Sequence, residues 1–173
     1  MSEIFVISDT HFQHENIIKY CDRPFKDTIE MDEEIIRRWN NVVSVQDKVY
    51  HLGDVFFGDP EGAGRILGAL NGKKRLILGN HDNGKDQLLQ RHFEKIDVWR
   101  MFPEFGLLLT HVPVHESTLR RGKTGNGEDP KMLTNVHGHI HNNKSPMGKY
   151  HCVCVEQINY TPVNIEEVRI KGF

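Results

Sequence analysis

The chain has few cysteines, no long apolar run and no excess of charge of either sign, and each shortage excludes something. Three cysteines, Cys21, Cys152 and Cys154, are too few and too odd in number for a disulfide framework. The Cys-x-Cys pair has no second pair to complete a zinc site, so buried, reduced thiols and a cytoplasmic setting are expected. Apolar stretches such as Gly106 to Leu109 fall far short of the roughly 20 residues that cross a bilayer. Met1-Ser2-Glu3 leads straight into a short apolar run without the basic region of a secretory leader. No membrane partner is therefore expected. A formal charge of -2 argues against a broad basic surface for nucleic acid, although a local one is compatible with it. No repeat, linker or low-complexity segment divides the chain. Its 173 residues, 38% hydrophobic and 27% charged, suit one domain spanning 1–173, as a monomer or small homo-oligomer.

What is abundant is histidine, with 11 residues. Several fall at one recurring place. Five short apolar runs read as strands: Ile4 to Ile7, Lys48 to Leu52, Arg75 to Leu78, Gly106 to Leu109 and Leu133 to Val136. Each runs directly into a polar cluster. In order these are Asp9-Thr10-His11, Gly53-Asp54, Gly79-Asn80-His81-Asp82, Thr110-His111 and His137-Gly138-His139-Ile140-His141. If the strands share a sheet, their C-terminal loops converge on one rim, where α/β folds commonly place sites. One such cluster would be ordinary strand capping. Five in succession indicate a site.

Between the strands lie helical patterns. Thr28 precedes a stretch to Trp39 with acids in its first turn and Arg37 and Arg38 in its last, as the helix dipole favours. Met31, Ile35, Ile36 and Trp39 form its apolar stripe. Pro60 to Leu70 and Lys85 to Phe93 are shorter candidates, and Asn16 could start another through Tyr20. From residue 94 onward the pattern changes to strands and turns. The expected fold class is α/β, a sheet core or sandwich with helices outside.

Asp-x-His and His-x-His each place two ligands two residues apart, on one side of an extended backbone. A carboxylate has two oxygens and can bridge two cations. Asp54 suits this role because Gly53 permits a tight turn before it. Asn80 offers a neutral amide oxygen. Imidazole and oxygen without thiolate fit Mn²⁺, Fe²⁺, Zn²⁺ or Ni²⁺ better than Ca²⁺ or a structural zinc. Two such ions roughly 3.5–4 Å apart acidify a shared water and clamp phosphate oxygens. Beside Asn80, His81 is free to protonate a leaving oxygen.

The ordered blocks Asp-x-His, Gly-Asp, Gly-Asn-His-Asp, His and Gly-His-x-His, from Asp9 to His141, resemble the calcineurin-like metallophosphoesterases. That resemblance implies a metallophosphoesterase-type β-sandwich flanked by helices in four αββα layers. It implies one cation at Asp9, His11, Asp54 and His141, and a second at Asp54, Asn80, His111 and His139. It further implies His81 as general acid and a hydroxide between the ions as nucleophile. Ser8 to Ile18, followed by Arg23-Pro24-Phe25, is most similar to the small bacterial and phage members.

One block departs from the pattern. Where the protein phosphatases of the family continue Gly-Asp with an acid and an arginine, this chain has Phe57 and Gly58. Without that arginine a dianionic monoester loses a bidentate clamp. The expected substrate is therefore a singly charged phosphodiester: a cyclic nucleotide, a dinucleotide or a nucleic-acid end. A nucleotide phosphomonoesterase and a non-catalytic, metal-binding scaffold are the alternatives. Asp82, or else Asp59, is left to orient His81. His14, Asn16, Arg120 and Arg121 are candidate substrate contacts, the last two in a long polar loop from 115 to 134. His51 and His137 are expected to be structural or to support the ligands.

Overall fold

Alternation within the strands builds the layers. A computed structural model describes residues 2–120 and 132–170. Its elements are β1 (Ile4–Ile7), α1 (Glu15–Tyr20), α2 (Thr28–Val42), β2 (Lys48–His51), α3 (Pro60–Ala69), β3 (Lys73–Ile77), α4 (Gln87–His92), β4 (Lys95–Asp97), β5 (Trp99–Phe102), β6 (Leu107–Thr110), a 3-10 turn (Glu116–Leu119), β7 (Thr134–His137), β8 (Tyr150–Cys152), β9 (Val163–Asn164) and α5 (Ile165–Ile170). One sheet has the order β4-β3-β2-β1-β9 and the other β5-β6-β7-β8. In the first, β1 to β4 are parallel and β9 is antiparallel to β1. In the second only β5 runs against its neighbour.

Along β1, Phe5 and Ile7 join a core with Met31, Ile35 and Trp39 of α2, Leu67 of α3 and Leu89 of α4. Val6, between them, faces the other way and meets Leu107, Leu109 and Val136 of the second sheet. Period-two side chains thus give one strand two buried faces, one against helices and one against a sheet. Leu108 points outward from the second sheet and packs with Leu119 and Leu133. The fold is a mixed α/β sandwich of two sheets flanked by helices, as the sequence suggested. Among the described residues, no helix is long and apolar enough to cross a membrane.

Several boundaries differ from the sequence reading. The cap of α2 is Asp27, not Thr28: its carboxylate accepts from the Glu30 amide at 2.9 Å. That helix also continues three residues past Trp39, to Val42. Asp86 caps α4, which starts at Gln87 rather than Lys85. Residues 165–170 are helical where strands and turns were expected. Ile165 and Val168, three apart, tuck one face of this short helix into the core between the sheets. All three cysteines are free and buried.

The parallel strands β1, β2, β3, β6 and β7 deliver their following loops to one rim. There the sheets are stitched together: the Ser8 amide donates to Val153 O at 2.9 Å and the Val155 amide to Ser8 O at 3.1 Å.

Candidate metal centre

At this rim the backbone turns in an unusual way. Among the described residues nine non-glycine residues have positive φ, and five are candidate ligands: Asp9 (58°), His11 (49°), Asp54 (57°), His139 (70°) and His141 (50°). The Asp-x-His and His-x-His pairs therefore do not project from extended backbone, as their spacing suggested. Each ligand sits in a left-handed kink, a conformation costing roughly 1–3 kcal/mol that persists where surrounding structure enforces it. Gly53 (φ 97°) is required in the plain steric sense, since a Cβ there would lie 2.7 Å from His111 Nδ1.

The kinks gather two groups of side chains. Asp9, His11 and His141 form one, and Asp54, His111 and His139 the other, with ligand atoms in each within 4.8 Å of one another. Asp9 Oδ1 lies 3.7 Å from His11 Nε2 and 3.8 Å from His141 Nε2. Asp54 Oδ2 lies between the groups, 3.7 Å from His11 Nε2 and 3.6 Å from His111 Nε2. Asn80 Oδ1 stands 2.9 Å from His111 Nε2.

These atoms have the chemistry of a cation site. Asp9 Oδ1 and His11 Nε2 are buried yet lack any hydrogen-bond partner, a state that is costly for polar atoms unless something else satisfies them. His111 Nδ1 is 2.7 Å from Leu52 O. An imidazole with a single N–H can donate either there or, through Nε2, to Asn80 Oδ1, but not to both. A shared cation reconciles that pair. The remaining carboxylate oxygens are tied back: Asp9 Oδ2 accepts from the His139 amide at 2.9 Å, and Asp54 Oδ1 from the His81 amide at 3.0 Å. Each acid thus keeps one oxygen for structure and leaves the other facing the histidines.

Around the ligands runs a supporting network that the sequence did not disclose. His141 Nδ1 meets Glu156 Oε1 at 3.0 Å, and buried Arg23 pairs with the same oxygen at 2.7 Å. Arg23 also donates to the carbonyls of Asp9 and Thr10, at 2.8 and 2.9 Å. One arginine therefore fixes the first ligand loop and, through Glu156, the ring of His141. Burial opposes charge on His141, but its hydrogen bonds to Cys21 and to the accepting Glu156 carboxylate, with the field of Asp9, outweigh it and push the ring up to about 10. Such a field favours a positive guest. Cys21, His141 and Glu156 also approach one another as ligands could. The Arg23 guanidinium already supplies the positive charge there, so this trio reads as an orienting network. Glu156 follows no motif, and only its place in the fold reveals it.

The other anticipated residues divide. His81 is exposed beside the centre, its ring edge-on to Phe57 at 4.8 Å between centroids. Asp82 does not turn towards that ring. Its carboxylate accepts from the amides of Asp54 and Gly79 at 2.8 Å and Val55 at 3.1 Å, locking two ligand loops together. Asp59 caps α3 through the Gly62 amide and accepts from Gln13. His14 belongs to the centre, 3.4 Å from His11 Nδ1 and stacked on Phe57 at 4.2 Å. Asn16 lies exposed in the first turn of α1, where His14 rather than Asn16 holds the cap position. Arg120 is exposed and pairs with Glu116 at 3.5 Å, while Arg121 lies outside the described residues, as does most of the 115–134 loop. His51 bonds Thr10 Oγ1 at 2.9 Å and accepts from the Gly53 amide, bracing two ligand loops. Buried His137 contacts Gly138 O and Ser145.

Comparison with known proteins gives this rim a context. The calcineurin-like phosphoesterase superfamily domain matches residues 2–156. An uncharacterized protein of Methanocaldococcus jannaschii is 37% identical over 175 residues, covering 96% of this chain and 89% of its own. The Gene 66 protein of Mycobacterium phage L5 is 31% identical, covering 85% and 80%. A crystal structure of a protein of unknown function from Aquifex aeolicus superposes with a TM-score of 0.75 at 29% identity, covering 97% of this chain and 98% of that one.

Proposed function

The chain belongs to the calcineurin-like phosphoesterase superfamily, and on that premise we propose that it hydrolyses phosphodiesters at a dinuclear centre. Membership and the two ligand groups support a metal-dependent phosphoesterase. In the finer reading, Asp9, His11, Asp54 and His141 hold one divalent cation and Asp54, Asn80, His111 and His139 a second, of Mn²⁺, Fe²⁺, Zn²⁺ or Ni²⁺. The observation that carries it is Asp54 Oδ2, placed 3.7 Å from a histidine of one group and 3.6 Å from a histidine of the other. Bound there, two cations supply Lewis acidity towards a phosphate and an acidified water as nucleophile.

The side chains do the rest. His81, exposed at the edge of the centre and anchored by its amide to Asp54 Oδ1 at 3.0 Å, delivers a proton to the departing ester oxygen. Phe57 and Gly58 stand where the protein phosphatases that the sequence resembles carry an acid and an arginine. The Phe57 ring packs against His14 and His81, at 4.2 and 4.8 Å between centroids. Arg23 is held by Glu156 and two carbonyls on the far side of the first ligand loop. This wall suits one phosphate charge better than two, which favours a cyclic nucleotide, a dinucleotide or a nucleic-acid end.

Purified protein loaded with Mn²⁺ should hydrolyse bis-p-nitrophenyl phosphate with a higher kcat/KM than p-nitrophenyl phosphate. The reverse order would replace the diester reading with a nucleotide phosphomonoesterase. Silence with Mn²⁺, Ni²⁺, Co²⁺ and Zn²⁺ alike would leave a metal-binding scaffold. His81→Ala should keep its metal, by elemental analysis, while kcat drops ~10²–10⁴-fold. Full activity in that variant would remove His81 from the reaction.

A further inference from the structure

A pocket of about 440 Å³ opens directly beside the ligand pair Asn80 and His111, on the side of the second sheet. Its wall is formed by Leu78, Val98, Trp99, Leu108, Val112 and Val114. Volume and lining match a small-molecule site, apolar over most of its area with polar groups confined to one end. Trp99 is 57% exposed, Val98 70% and Val112 43%. Three adjoining apolar side chains left open to water next to candidate ligands mark a binding surface more than a packing accident.

The pocket offers little hydrogen bonding of its own. The Thr110 hydroxyl donates to Val112 O at 2.6 Å and accepts from Asn135 Nδ2 at 2.9 Å. The Val114 amide and carbonyl are taken by Asn135 and Tyr150. Apart from Thr118 at the exposed wall and the Asn80–His111 end, what remains is an indole face and branched aliphatic groups, which complement the flat face of a ring without reading its polar edge. His81 is not among the lining residues and faces Phe57 on the other flank. A leaving group protonated by His81 therefore departs on that flank, and the pocket is left for the substituent that stays on phosphorus.

Resting on the phosphodiesterase reading, we propose that this pocket receives the retained substituent of the diester, that this substituent is a planar aromatic ring of the nucleobase class, and that Trp99 is its stacking face. Trp99 acts as a specificity residue, selecting which diesters bind productively.

Two measurements test this. Trp99 is the exposed one of two tryptophans, Trp39 being fully buried, so emission reports on the pocket without turnover. Diphenyl phosphate should produce a saturable change in emission that dimethyl phosphate does not, and Trp99→Leu should abolish it. In turnover, bis-p-nitrophenyl phosphate and methyl p-nitrophenyl phosphate share a leaving group and differ only in what is retained. The preference in kcat/KM for the diaryl ester should fall about 5- to 100-fold in Trp99→Leu. The pocket-filling Thr118→Trp, at an exposed position on the pocket wall, should erase the same preference. An unchanged preference in both variants, or dihexyl phosphate binding as tightly as diphenyl phosphate, would overturn the aromatic assignment. Hydrolysis of neither ester alongside a specific diphenyl phosphate response would overturn the phosphodiesterase reading while supporting the pocket's preference for rings.

Discussion

At the scale of single residues, the informative atoms are those held by something and those held by nothing. Asp9 presents both kinds, one oxygen bonded to the His139 amide and the other buried without a partner. Glu156 has the same logic one step further out, since it orients His141 while Arg23 balances its charge. Glu156→Gln should weaken metal binding by ~10–100-fold, read by competition with a chelator, with the fold retained by circular dichroism. Unaltered affinity would show that His141 needs no such support. His51 bears on pH. Burial lowers it from 6.5 to about 4, against the pull of Asp82 and Asp9. Its folded value lies below its unfolded one, so as pH falls the unfolded chain takes up the proton first. Stability is then complete above pH 6.5 and declines between 6.5 and about 4, by at most about 3 kcal/mol. Denaturant titrations of metal-free protein should show this slope and find it shallower in His51→Gln. Equal slopes would assign the acid sensitivity to other histidines.

At the scale of elements, helix α2 was the most legible piece, because Met31, Ile35 and Trp39 announce its buried face by spacing alone. Its start was less so. Asp27 and Thr28 are both competent caps, and the choice falls to Asp27, whose extended backbone (φ -154°, ψ 176°) aims its carboxylate at the Glu30 amide. Asp27→Ala should cost about 1 kcal/mol in a denaturant titration, whereas Thr28→Ala should cost much less. The opposite order would move the cap back to Thr28. Strands were legible by their apolar runs only where both faces are buried. Trp99–Phe102 and Lys95–Asp97 are edge strands with exposed residues and mixed polarity, so nothing in their composition distinguishes them from loop. The ligand kinks were illegible for another reason. Left-handed Asp9, His11, His139 and His141 are imposed by tertiary contacts against local preference.

At the scale of the whole molecule, the candidate ligands come from both sheets: Asp9, His11, Asp54 and Asn80 follow strands of one, His111, His139 and His141 strands of the other. A cation bound here ties the two layers of the sandwich together at one rim. Divalent metal should therefore raise Tm. At a free concentration of 100 times Kd the gain is about 2.7 kcal/mol per independent site. For a domain of this size that is an increase of roughly 5–10 °C, reversed by EDTA. A Tm indifferent to Mn²⁺, Zn²⁺ and Ni²⁺ would mean that the ligand groups do not assemble on an ion in the native fold. The pocket beside Asn80 and His111 belongs to this scale as well, since its wall joins the loop after β3 to β5, β6 and the 3-10 turn.

The order of candidate ligand types along the chain was enough to place it in its family, because a recurring strand followed by Asp, Asn or His survives any detail of packing. The sequence also marked Gly53 as the residue that permits a tight turn before Asp54, and its φ of 97° is the conformation glycine adopts without strain. Tertiary structure alone decided which oxygen of each acid faces inwards and that Asp82 braces backbone amides instead of His81. It also decided that Arg23 and Glu156, 133 positions apart, act on a single ligand, and that Trp99 stands beside His111. These are facts about the meeting of distant segments. Local spacing carries no information about them, because the sandwich brings residues together by the pairing of its strands and the packing of its sheets.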